Sequence, residues 1–131
     1  MSLAVWLGAA VVLALDQTTK QLVRARLAEG QAVPLGPFRI RRLTNVRRRA
    51  GWWLLGTVAS VSLILVEISP LFQAPVARLG LGLALGGALG NVLDLRRGGV
   101  LDFVDLRFWP IFNVADVGIV LGVAMVLCSV P

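Results

Sequence analysis

Four apolar runs, each bounded by charge or proline, set the plan of this chain. The first, Leu3 to Leu15, holds no charged residue. The stretch after it, Asp16-Gln17-Thr18-Thr19-Lys20 and on to Arg24, contains neither Gly nor Pro, so a helix can continue through it. This run also has the length of a signal-peptide core. No basic segment precedes it, however, and no small-x-small site closes it cleanly. It is therefore read as a retained span over about residues 3–20. A second span, about 52–68, opens on Trp52-Trp53, a pair suited to the headgroup belt, and is closed by Glu67 and Pro70. A third is expected over about 76–93, and a fourth over about 113–130 with Pro110 just ahead of it. The third carries Gly82, Gly86 and Gly90 at four-residue spacing with Gly87 alongside, a face on which helix backbones can approach closely. Two large polar loops, 17–51 and 94–112, fall on one side of the membrane, and a short turn at 71–75 falls on the other. Within the first loop Phe38-Arg39-Ile40-Arg41 alternates, Leu43 to Val46 suits a strand, and Pro34, Gly36 and Pro37 punctuate. The pattern predicts an α-helical membrane protein of four transmembrane helices, with a small β-cradle on the membrane surface in the first large loop.

Composition supports lipid as the solvent. Hydrophobic residues make up 57% of the 131 and charged residues 15%, against about 25% charged in ordinary soluble domains. Mean hydropathy is +0.83. A soluble chain of this length could not hide so much apolar surface. At about 20 residues per span, four spans leave room for both loops and more than five cannot fit. The whole chain, 1–131, reads as a single integral-membrane domain. With 13 Lys and Arg against 7 Asp and Glu, the net charge is +6. Basic loops against anionic headgroups account for that charge, since no soluble basic module remains to bind nucleic acid.

Counting also narrows the chemistry. Histidine is absent, which removes Ser-His-Asp and Cys-His catalysis. A single cysteine, Cys128, lies in an apolar run, so neither an internal disulfide nor a usual zinc site is available. Seven acids remain: Asp16, Glu29, Glu67, Asp94, Asp102, Asp105 and Asp116. Asp16, Thr19 and Lys20 share a helical face and, taken alone, read as an interfacial ion pair ending a span. Asn91 and Asp94 repeat the three-residue spacing at the loop end of the third span, as do Asn113 and Asp116 at that of the fourth. Asp102 stands between apolar neighbours in Val100-Leu101-Asp102-Phe103. Asp116 opens an uninterrupted apolar run, and a carboxylate inside a span is a functional-site candidate by default. Hydrolysis here would need two carboxylates and a water, the pair sharing a proton so that each acts in turn as base and acid. Pairing Asp102 with Asp116 requires the 13 residues between them to fold back, which Trp109-Pro110 allows.

These segments together resemble the lipoprotein signal peptidase (signal peptidase II) family. The resemblance rests on Asp16-Gln-Thr-Thr-Lys20, Gly86-Gly-Ala-Leu-Gly-Asn91-Val-Leu-Asp94, Gly99-Val-Leu-Asp102-Phe and Phe112-Asn113-Val-Ala-Asp116, in that order over nearly the whole chain. It implies an aspartyl endopeptidase of the bacterial plasma (inner) membrane that cuts the signal peptide from a diacylglyceryl-modified prolipoprotein just before the lipidated cysteine. Asp102 and Asp116 would be the catalytic pair, with Asn91, Asp94 and Asn113 supporting them or touching substrate, Asp16 and Lys20 organising the site, and residues 31–51 forming the surface cradle. No metal and no cofactor is implied. The partners are the prolipoprotein and membrane lipid, with no nucleic acid, and the chain is expected to be a monomer.

The chain departs from the family pattern in three places, one of them an Asp94-to-Asp102 segment a residue short. Arg48-Arg49-Ala50 stands where the family has Asn-x-Gly, and Leu95 follows Asp94 where an arginine is usual. These positions touch substrate contacts and spare the pair. Topology sets two arguments against each other. Twelve of the 13 basic residues lie in the large loops, which by charge alone would be cytoplasmic. The resemblance places that face outside, and its ordered motifs outweigh the charge bias. Two other readings remain: a relative that is inactive or of altered specificity and binds lipoprotein precursors, and a small proton-coupled transporter using Asp116 or Glu67.

Overall fold

Proline, glycine and one asparagine decide where the helices begin and end. The computed structural model describes residues 2–46 and 68–129. The expected second span, 52–68, therefore lies outside the described residues apart from Ile68, as does Arg48-Arg49-Ala50. Helix α1 covers Leu3–Arg26, six residues beyond the predicted span, so the polar stretch from Asp16 to Arg24 is helical throughout. Arg24 and Arg26 in its last turn complement the helix dipole. After a 3₁₀ turn at Pro70–Phe72, α2 covers Pro75–Arg96. Pro75 begins it at a position where no N–H is needed, and Gly98, at φ 111°, follows its end. Helix α3, Val114–Cys128, starts from a capping box in which Asn113 and Asp116 bond each other's backbone N–H.

Glycine brings these helices together. On one side of α2, a Cβ at Gly82 would overlap the Val5 carbonyl and one at Gly86 the Ala9 carbonyl, both on α1. On the other side, Gly80 and Gly87 lie against the backbone of α3 at Gly122 and Ala115. The predicted packing face is thus two faces, and α2 is sandwiched between its neighbours.

The sheet is antiparallel in the order β1-β2-β3, with β1 at Ala32–Leu35, β2 at Phe38–Asn45 and β3 at Val100–Asp105. Gly36, at φ 62°, supplies the left-handed backbone of the two-residue hairpin loop between Leu35 and Phe38. Pro34 sits within β1, where an edge strand tolerates it. The two short segments expected at 38–41 and 43–46 form one strand, with an irregularity between Ile40 and Leu43. The location of the sheet is corrected: it is not confined to the first large loop, because its third strand comes from the second. Residues on both faces of β3 are buried, so the alternation that marks a half-exposed strand is missing from its sequence. Val23 of α1 packs with Leu101 and Phe103 of β3, tying the sheet to the helices.

Burial is inverted relative to a water-soluble protein. Leu3, Leu7, Val11, Leu15 and Leu22 on α1, and Val120, Leu121 and Leu127 on α3, are exposed. Asp16, Lys20, Asn91, Asp94 and Asn113 are completely buried. Among the described residues, α2 is the one helix both long and apolar enough to cross a membrane, and α3 is apolar but shorter.

Candidate active site

The site grows from one face of α1. Asp16, Lys20 and Arg24 are spaced i, i+4, i+8, so their side chains stack along the surface that meets α2 and β3. The Lys20 ammonium lies 2.7 Å from Asp16 Oδ2, 2.8 Å from Asp94 Oδ2 and 3.1 Å from Asn91 Oδ1. Three donors thus meet three acceptors. Asp94 Oδ1 accepts from the Arg24 guanidinium at 3.1 Å, and Asp94 Oδ2 accepts from the Leu101 backbone N–H at 3.0 Å. Arg97, half-exposed, also comes within 3.9 Å of Asp94, so each carboxylate of the buried cluster is paired with a cation and hydrogen-bonded, the condition under which buried ions are tolerated. Asp16 also accepts from the Ala115 N–H at 2.9 Å, placing its charge at the N-terminus of α3 where donors are otherwise orphaned. The reading of Asp16 and Lys20 as an interfacial pair is therefore corrected: the pair is internal and joins three elements. Thr19 stays apart, its hydroxyl bonded to the carbonyls of Leu15 and Asp16.

Above this base sit two asparagines. A lysine can only donate, so it fixes Asn91 with Oδ1 toward Lys20 and Nδ2 toward Asp116, whose Oδ1 is 3.1 Å away. Asn113 Nδ2 lies 3.0 Å from Asp102 Oδ1 and 3.1 Å from Asn91 Oδ1. The same residue accepts the Asp116 N–H at 2.9 Å through its side chain and donates its own N–H to Asp116 Oδ2 at 3.3 Å. One residue therefore touches both Asp102 and Asp116. The foldback that this needs is made by β3 and the chain after it. Val104 bridges antiparallel to Phe112, with the Phe112 carbonyl accepting from both the Phe103 and Val104 N–H groups. Arg107, at φ 71°, helps turn the chain. Asp102 is buried, while Asp116 is half-buried.

All seven residues singled out from sequence (Asp16, Lys20, Asn91, Asp94, Asp102, Asn113 and Asp116) fall in this one network. Sequence reasoning missed Arg24 and the Leu101 N–H. Arg24 carried a usable signal, four residues beyond Lys20 on the same helical face. Leu95, where an arginine is usual in the family, is buried in the core, while guanidinium groups reach Asp94 from Arg24 on α1 at 3.1 Å and from Arg97 at 3.9 Å. Asp105, at the other end of β3, belongs to a separate pair. The Arg107 backbone N–H and the facing Arg39 guanidinium hold its carboxyl below the usual carboxylate range. Among the described residues no three His, Cys, Asp or Glu side chains are grouped to hold a metal ion. The chemistry on offer is that of two carboxylates, each held by an amide donor.

The signal peptidase (SPase) II family profile matches residues 8–130. Lipoprotein signal peptidase of Moorella thermoacetica is 38% identical over 92% of this chain and 87% of its own length. That of Pelotomaculum thermopropionicum is 40% identical over 86% and 82%, and that of Rhodococcus jostii 41% identical over 91% and 68%. A solved bacterial membrane enzyme superposes with a TM-score of 0.82 at 24% identity, over 94% of this chain and 89% of that one, a likeness of fold.

Proposed function

This chain belongs to the signal peptidase II family, and from that premise we propose that Asp102 and Asp116 are the pair with which it cuts. It is a peptidase of a bacterial membrane that removes the signal peptide from lipoproteins. The finer reading is an aspartyl endopeptidase acting on diacylglyceryl-modified prolipoproteins and cutting before the lipidated cysteine.

One observation carries the assignment: Asn113 bonds Asp102 through its amide and Asp116 through a reciprocal cap. Two carboxylates brought to one residue can divide the work of general base and general acid between them. The ionised member takes a proton from water as the water oxygen attacks the scissile carbonyl. The protonated member gives its proton to the carbonyl oxygen, forming a neutral tetrahedral gem-diol. Collapse breaks the C–N bond: the proton taken from water goes to the leaving nitrogen, and one gem-diol hydroxyl returns its proton to the other carboxylate, which restores the pair. The Lys20–Asp16–Asp94 cluster beneath holds Asn91, and through it Asp116, without touching substrate.

The membrane frame completes the proposal. Four helices would cross, with the site on the extracytoplasmic face despite the basic loops. A transporter would need a carboxylate deep in the bundle, whereas Asp94 lies in the last turn of α2, Asp116 in the first turn of α3 and Asp102 on β3, joined with Asp16 in one network, which does not favour it. The test is cleavage of a lipidated precursor by purified protein in detergent. The wild type cuts, and Asp102→Asn and Asp116→Asn lose at least about a thousandfold in rate while keeping the helical circular dichroism spectrum. Normal turnover by either variant would sink the mechanism, and no turnover by the wild type would leave an inactive relative.

A further inference from the structure

Across the sheet from Asp102 lies an apolar groove of about 240 Å³. Leu22, Val23 and Leu27 of α1 form one wall, and Val33, Leu35 and Ile40 of the β1-β2 hairpin form the other. Strand alternation separates the groove from the site: Leu101 and Phe103, with Val23, face one way along β3 and Asp102 faces the other. Its volume is below the roughly 300–1,000 Å³ of small-molecule pockets, and an alkyl chain with one end left in the bilayer suits it.

Two features say what covers it. The first is continuity with the lipid-facing stripe of α1. Leu3, Leu7, Val11, Leu15 and Leu22 are all exposed, and at 100° per residue Val11, Leu15 and Leu22 fall on one side of the helix. Leu3 and Leu22 are roughly 28 Å apart along the axis, close to the hydrocarbon thickness of about 30 Å. Leu22 thus marks the edge of the hydrocarbon, and Arg26, one turn on at the groove rim, stands at headgroup level. The second is charge. Arg24 is engaged with Asp94, Arg39 with Asp105 and Arg42 with Glu29. Arg26 lines the groove without a carboxylate or hydrogen-bond partner among the described residues. A guanidinium beside an apolar cleft at the membrane edge matches a phosphate with an acyl chain below it.

We infer that this groove binds the acyl chain of an anionic membrane phospholipid, with Arg26 on its phosphate, and so seats the β1-β2 hairpin on the bilayer. The test is native mass spectrometry of the full chain in mild detergent, titrated with phosphatidylglycerol or with phosphatidylcholine of the same chains. Phosphatidylglycerol should be retained about tenfold more strongly. Arg26→Gln should erase that preference, and Leu22→Glu should weaken binding of both lipids. Both residues are exposed and outside the catalytic network, so precursor cleavage in phospholipid-free detergent should stay within about twofold of wild type, which shows that the variants fold. Equal retention of the two lipids, or unchanged phosphatidylglycerol binding by both variants, would overturn the inference. Displacement of the bound lipid by the diacylglyceryl precursor, one for one, would overturn it in favour of the substrate's own chains.

Discussion

Asn113 does two jobs that a substitution series can separate. Its oxygen caps α3, and its Nδ2 holds Asp102 and Asn91. Asn113→Ala removes both functions and should destabilise the protein by about 0.5–2 kcal/mol through the lost cap. Asn113→Ser keeps a capping oxygen but is too short to reach Asp102. Its melting temperature should therefore recover most of the Ala loss while cleavage stays depressed by about a hundredfold or more. If Ser restored activity along with stability, the amide contact to Asp102 would have no catalytic role. The residue types of this network could be picked out from the chain, because acids and asparagines at three-residue spacing beside apolar runs are conspicuous. Arg24 was not, since an arginine just beyond a span reads as a headgroup contact until a buried Asp94 is placed opposite it.

Between elements, the pairing of β2 with β3 brings Arg39 opposite Asp105. Because the Arg107 backbone N–H, and after it the Arg39 guanidinium, hold the folded carboxyl below its ordinary value of 3.8, the carboxylate contributes stability above that pH and loses it as pH falls through the lower folded value. Thermal melts of wild type and Asp105→Asn should differ at neutral pH and converge below pH 3.8. A gap that persisted unchanged in acid would mean that the carboxylate charge is not what holds these strands. Helices α2 and α3 were legible from their apolar runs, and the structure adds the chemical stops at Pro75, Gly98 and the Asn113 cap. Strand β3 was not, because a strand buried on both faces carries no alternation and its partner lies far away in the chain.

At the scale of the molecule, the polar network lies by the last turn of α2 and the first turn of α3, helices with exposed apolar side chains, which supports the proposal that substrate reaches it from the bilayer edge. Each methylene kept in lipid is worth about 0.8 kcal/mol. A precursor carrying a diacylglyceryl group should therefore be cut far better in membranes than the same peptide with a free cysteine, and the difference should appear in KM as well as kcat. Equal kcat/KM for the two would count against approach from the membrane.

The linear chain by itself determined the solvent, the apolar runs and the list of groups able to do chemistry, because hydropathy, the absence of histidine and the count of acids are additive properties that need no partner. It also marked the glycines of α2 as contacts, though not that they serve two helices at once. Only the tertiary structure decided that Lys20, besides its helical neighbour Asp16, holds Asp94 and Asn91, that Asp16 reaches the N-terminus of α3, and that Asp102 rides on a strand added to a hairpin from the other loop. Each of these joins residues some 60 to 100 positions apart, and such contacts form only once packing has offset the entropy of closing the intervening chain.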